Sequence, residues 1–236
     1  MQIPRSMEAC LIDPCAHNVT MASPSLSEQI VLRAATAADL SDISRIMNHP
    51  PEPPMSALLG HERASRLGDL LVRAGVTISL SSTTVAVVGD SVVGVMDCGS
   101  QYGLRPTPAS VLRLLPRALL IIGLRNLPRA LRGMLLRQRV QFASVAGAYS
   151  IAELYVDERL RNRGIGGALL RYAEEEARRC SAQRMCVETG IENPARRLYE
   201  RNGYHVVTTK ADAQYERVMG SPGRVLMLKE LSPPTD

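Results

Sequence analysis

The sequence has no tryptophan and a single phenylalanine, Phe142. Proteins that hold single strands of nucleic acid stack bases on aromatic rings, so that platform is missing and no nucleic-acid partner is expected. No apolar run approaches the length that spans a bilayer. No N-terminal stretch has the charged, apolar, small-residue order of a secretory leader. Cysteine is sparse and unpaired in pattern. Cys10, Cys15, Cys98, Cys180 and Cys186 are odd in number and form no C-x-x-C, which reads as reduced thiols in a cytoplasmic protein. Cys98, Cys180 and Cys186 are expected to be small buried hydrophobes. Cys10 and Cys15 lie near His17, but the rest of a ligand set is lacking, so no metal is expected.

Acid is locally absent as well. Residues 101–150 hold eight arginines (105, 113, 117, 125, 129, 132, 137 and 139) and no Asp or Glu. The whole chain is formally +5, with 28 Lys+Arg against 23 Asp+Glu, so the entire positive excess sits in this segment.

What is present is globular. A chain of 236 residues, 45% hydrophobic and 22% charged, suits one domain with a full core. Residues 1–28 carry Pro4, Pro14 and Pro24 and little apolar periodicity, which predicts a flexible extension with Met21 as an alternative start. Residues 29–232 then form a single domain that includes the insertion 101–150. Strands are expected at Val31–Thr36, Thr83–Val88 and Val92–Asp97, the last two joined by the hairpin signal Gly89-Asp90. Helical spacing covers Ala38–Met47 and Ser56–Ala74, on either side of the proline-rich break His49–Pro54. Val206–Thr209 and Val225–Leu228 close the sheet, joined by a polar loop.

The stretch Arg161-Asn162-Arg163-Gly164-Ile165-Gly166-Gly167 follows the apolar run Ile151–Val156 and precedes an amphipathic run from Ala168. Strand, glycine turn and helix in that order expose unpaired amides at a helix N-terminus, next to two arginines, which is a place for a pyrophosphate. The P-loop Lys-Ser/Thr is absent, and Leu169 stands where the third glycine of a dinucleotide fingerprint belongs. A further strand, Arg184–Gly190, leads to Asn193-Pro194, a cap and first turn, and a short helix carrying Tyr199 that stops at Gly203.

Taken together, the strand 151–156, the R-x-x-G-x-G turn 161–166 and Asn193…Ala195…Tyr199…Gly203-Tyr204 resemble the GNAT acyltransferases, which use acetyl-coenzyme A. The resemblance is strong over 151–206, and Val31–Asp39 adds a weaker match to the family's first strand and helix. It implies an α/β (α+β) fold with a central mixed, mostly antiparallel, splayed sheet flanked by helices. The arginine-rich helical insertion would fall between the third and fourth strands. It implies N-acetyl transfer from acetyl-CoA to a primary amine of a small molecule or peptide-like acceptor, by direct attack through a tetrahedral intermediate. It implies cofactor contacts from Leu154, Tyr155 and Val156, from Arg161, Asn162, Arg163, Gly164, Ile165, Gly166 and Gly167, and from Asn193. An amide of Tyr155 or Val156 would meet the oxyanion, and Tyr199 would protonate the departing thiolate.

Each residue also has a plainer reading. Asn193 could be a helix cap alone, and Tyr199 a core tyrosine. Glu153 interrupts an apolar strand, so it is the first candidate for a base of raised pKa; a salt bridge or a solvated position is the alternative. Glu188 is the second candidate base, and His205 is placed on the sheet surface.

The repeat Leu115-Pro116-Arg117-Ala118-Leu119 and Leu127-Pro128-Arg129-Ala130-Leu131 reads as two short helices, with Thr107-Pro108 and Asn126 with Pro128 starting them and Pro116 kinking or splitting the first. Three roles remain open for this insertion. It could pack on the sheet edge with a solvated arginine face. It could form a lid whose Arg113, Arg117 and Arg129 favour anionic acceptors. It could adsorb to an anionic membrane. The alternative to an enzyme is a non-catalytic acyl-CoA-binding module whose basic insertion docks a partner or membrane. Either way the chain is expected to be a monomer or homodimer.

Overall fold

The structure, a computed structural model, describes residues 19–21, 30–48, 55–99 and 108–231. Its strands are β1 (Val19–Met21), β2 (Ile30–Ala34), β3 (Thr83–Val88), β4 (Ser91–Gly99), β5 (Ala148–Val156), β6 (Arg184–Gly190), β7 (His205–Ala211) and β8 (Gly223–Glu230). They form one eight-stranded sheet in the order β1-β2-β3-β4-β5-β6-β8-β7. Every neighbouring pair is antiparallel except β5 and β6. The mixed, mostly antiparallel sheet expected from the sequence is therefore what forms. Of the expected extension 1–28, β1 pairs with β2, and the other residues lie outside the described ones.

Helices cover both faces. On one face α6 (Ile165–Arg179) buries Ile165, Ala168, Leu169, Leu170 and Ala173 against Met96, Ile151, Met185 and Met227. The short α7 (Arg196–Arg201) adds Leu198 and Tyr199 to that core. On the other face α1 (Leu40–Asn48) and α3 (His61–Arg73) bury Ile43, Ile46 and Val72 against Val85, Val92 and Val95. A third cluster joins α2 (Met55–Leu59), α4 (Pro108–Ile122), α5 (Leu127–Val140) and α8 (Ala213–Met219) through Leu58, Leu136, Tyr215 and Met219. Among the described residues no helix is long and apolar enough to cross a membrane.

Several elements differ from the sequence-based expectation. The helix expected over 56–74 is two helices broken at Gly60, whose φ of +77° ends the first. Helix α4 runs through Pro116 without splitting. The loop between β7 and β8 contains α8, capped by Asp212, which accepts from the Gln214 and Tyr215 amides at 2.8 Å. β5 starts at Ala148, so the insertion ends at Gly147, and with β1 counted it lies between β4 and β5. Cys98 and Cys186 are buried thiols, but Cys180 is disulfide-bonded, which corrects its reading as a reduced thiol.

Two irregularities shape the centre of the sheet. The β4–β5 register slips so that Asp97 faces Glu153 while Cys98 faces Ile151, leaving Ala152 unmatched. This bulge shifts the side-chain alternation by one. Tyr149, Ile151, Leu154 and Val156 all pack on the α6 side, whereas Tyr155 packs on the α1–α3 side, and Glu153 shares the face of Tyr155. The second irregularity is a parting of strands. β5 pairs with β6 only from Ala148↔Arg184 to Ile151↔Val187. Beyond that point β5 continues to Val156 and β6 to Gly190 without each other.

Candidate active site

The parted strands open into a cleft of about 2010 Å³, lined by β5, the turn before α6, β6, α7 and the segment joining α5 to β5. At one end lies the glycine turn. A 3-10 turn, Glu158–Leu160, leads into Asn162 at φ +62° and Gly164 at φ +84°. Gly164 is the N-cap of α6, and its left-handed backbone is the conformation that favours glycine. Ala168 N–H makes the first helical bond, to Gly164 O, so the amides of Ile165, Gly166 and Gly167 precede the intrahelical ladder. The first turn of α6 has no acidic residue, leaving the positive end of the helix dipole uncompensated. The role of Gly166 is partly packing, since a Cβ there would stand 2.9 Å from Leu198 Cδ2.

Arg161 donates through Nε to Val156 O at 3.3 Å and lies 3.6 Å from Glu158, which fixes the turn to the end of β5. Arg171 and Arg197 line the same end of the cleft. The sequence reading did not single them out. Arg171 is four residues past Gly167 on α6, one helical turn away, and that spacing was the available signal.

The middle of the cleft is the exposed edge of β5. Asp157 N–H donates to Val93 O at 2.9 Å. Main-chain groups on a strand alternate sides, so Tyr155 turns its amide to β4, and Leu154 and Val156 turn theirs to the gap. Of the two amides considered for an oxyanion, that of Val156 faces the opening and that of Tyr155 is engaged with β4. Asn193 lines the cleft, and its Oδ1 accepts from Ala195 N–H at 2.9 Å. The helix proper begins at Arg196, two residues later than the sequence suggests. Tyr199 is buried at the cleft wall, edge-on to Tyr204 at 5.8 Å between ring centres.

Glu153 lies on the floor. It is half-buried by surface area, yet desolvation pushes its carboxyl up to about 7. The Tyr155 hydroxyl donates to it and, with Arg137 and Arg224, pulls the other way, while the charge of Asp97 adds to the rise. Asp97, its cross-strand partner, is buried and raised by burial, although Ser82 Oγ at 2.6 Å and Thr83 Oγ1 at 3.3 Å donate to it. The sequence carried a trace of Asp97, an acid closing the apolar run Val92–Met96. The second candidate base, Glu188, is bound to Arg224, Nε to Oε1 at 2.7 Å, so it takes the salt-bridge role. His205 is exposed on β7. Of the insertion, Arg137, Gln141 and Phe142 line the cleft. Arg113, Arg117 and Arg129 do not, and Arg129 instead donates to Ala57 O at 3.0 Å, so the lid arginines named from sequence are misplaced.

Residues 133–206, which hold β5, the glycine turn, α6, β6 and α7, match the family model of the acetyltransferase (GNAT) domain. Over this stretch the chain is similar to GNAT acetyltransferases. Solved structures share the GNAT fold. A GNAT-family protein from Desulfovibrio desulfuricans is 18% identical with a TM-score of 0.51, over 86% of this chain and 99% of that one. A protein from Pyrococcus horikoshii is 17% identical with a TM-score of 0.50, over the same shares. No curated protein matches the sequence.

Proposed function

We propose that this GNAT domain transfers an acetyl group from acetyl-CoA to a primary amine of a small molecule or peptide-like acceptor. The observation that carries the reading is one cleft with a helix N-terminus free of acidic residues at one end and a carboxyl raised to about 7 on its floor.

The amides of Ile165, Gly166 and Gly167, with Arg161, Asn162, Arg163 and Gly164 around them, bind the diphosphate of the cosubstrate. Arg171 and Arg197 add positive charge beside it. The gap-facing groups of Leu154, with the Val156 carbonyl beside Arg161, pair with the amides of the pantetheine arm, as an added strand would, which leaves the Val156 amide for the thioester oxygen, and Asn193 closes the turn beside it. Glu153 takes a proton from the ammonium form of the acceptor, directly or through water, which its raised pKa allows near neutrality. The amine nitrogen then forms a bond to the acetyl carbon. The Val156 amide donates to the developing oxyanion. As the carbon–sulfur bond breaks, Tyr199 gives its proton to the thiolate, and the extra proton left on the amide nitrogen returns to the tyrosinate, directly or through water. A phenol is protonated at neutral pH and so is available to donate.

An acid and a base in the same cleft favour turnover over simple acyl-CoA binding. The test measures thiol release from acetyl-CoA with a broad panel of amines. Amine-dependent release that is lost in Glu153→Gln and Tyr199→Phe supports the reading. Calorimetric binding of coenzyme A without any amine-dependent release would leave only a binding module.

A further inference from the structure

Nine large hydrophobic residues are exposed among the described residues, and seven lie within the arginine-rich insertion: Leu112, Leu115, Leu120, Leu124, Leu131, Met134 and Leu135. They are not the packing faces of α4 and α5. Those faces are Ala118, Ile121 and Ile122 on α4, and Ala130, Gly133, Leu136 and Val140 on α5, which meet α2, α3 and α8. The seven stand on the outer side of the helical hairpin and at its tip, where Leu120 is 84% and Leu124 83% exposed. Arg113, Arg117, Arg125 and Arg132, all exposed, are interleaved with them. The segment holds no acid.

We propose that this hairpin seats the protein on an anionic lipid surface, with the leucines of α4, the tip and α5 entering the acyl boundary and the arginines at the phosphates. Three observations select this occupant. Exposed leucines cost free energy in water, and a run of them on one surface marks a binding face. Residues interleaved with arginine match a headgroup layer, where long cationic side chains hold their heads at phosphate level while their stems lie in the apolar zone. The surface projects: none of residues 112–136 lines the cleft, and side chains more than four-fifths exposed stand out from the fold, so no groove is offered to a peptide. A second copy of the chain would bring like charge against like charge. The alternative left open by the sequence, a hairpin packed on the sheet edge with an arginine face in solvent, does not account for these seven exposed side chains.

Sedimentation of the full chain with vesicles tests this, using phosphatidylcholine with and without about one third phosphatidylglycerol. Pelleting with the anionic vesicles and not with phosphatidylcholine alone is expected. The variants Leu120→Ser/Leu124→Ser/Leu135→Ser and Arg113→Gln/Arg117→Gln/Arg125→Gln/Arg132→Gln are each expected to lower partitioning by about tenfold or more. Their melting temperatures should stay unchanged, since these side chains stand in solvent; if one falls, Leu124→Ser alone carries the measurement. No pelleting, equal pelleting with both lipids, or a leucine variant that partitions like the parent overturns the proposal. Leucine-dependent oligomers in vesicle-free sedimentation would also overturn it, and would assign the face to a second copy.

Discussion

Glu153 owes its raised proton affinity chiefly to desolvation; the Tyr155 hydroxyl on its own face opposes the rise, and the charge of Asp97 across the strand adds to it. A base must be ionised to act, so kcat/KM should rise as pH climbs through about 7. Glu153→Gln is expected to lower kcat about a hundredfold and erase that limb. Asp97→Asn should move the limb to lower pH, because it removes the negative neighbour. The pH–rate profile reads both. Asp39 shows the reverse sign. Arg33 grips it at two points of 2.7 Å, and the Thr36 amide and hydroxyl add bonds of 2.8 Å, lowering its carboxyl to about 2. Its contribution to stability is present above pH 4 or so and is lost as pH falls toward 2. Asp39→Asn should therefore cost about 2 kcal/mol at neutral pH, read by denaturant unfolding, and the difference from the parent should shrink in acid.

Elements succeed or fail by single backbone positions. Gly164 at φ +84° turns the chain into α6; Gly164→Val should raise the KM for acetyl-CoA at least tenfold with a smaller effect on kcat once saturated, since the strain falls on the binding turn. Gly133 lets α5 lie close to α2 and α8, for a Cβ there would stand 2.8 Å from Leu58 and 3.0 Å from Met219 Sδ. Gly133→Val should destabilise by about 1–3 kcal/mol in thermal or denaturant unfolding.

The strands and the glycine turn were legible because their signals are local: the hairpin Gly89-Asp90, the alternation through 184–190, and the glycine cap before a periodic helix. What was missed had weaker or contrary local signals. Gly60 breaks a continuous helical pattern. Pro116 lies on the exposed side of α4, where water can take the orphaned carbonyl one turn back. The seven residues of α8 are too few for periodicity to show. The unmatched Ala152 decides which face Glu153 takes, and no residue type announces such a slip.

At the scale of the molecule, the sheet has two halves that meet at β5 and β6. The insertion bridges them from outside. Helix α5 packs on α2 of one half and α8 of the other, Arg139 reaches Asp212 at 3.4 Å, and Lys210 donates to Gln141 O at 2.6 Å. The site was half legible from sequence for the same reason. The phosphate end comes from one continuous stretch, whereas the floor gathers Asp97, Glu153, Arg137 and Arg224 from four distant ones.

The seam between the halves has only four rungs, Ala148 to Ile151 against Arg184 to Val187. A thioester lying along the gap would touch both margins and rivet two slabs otherwise joined by a short weld. Saturating coenzyme A, at about a hundred times its Kd, should then add roughly 2.7 kcal/mol to unfolding. The slowing of amide exchange it brings should concentrate at the mouth, around Ile151 and Val187, rather than spread evenly over the sheet.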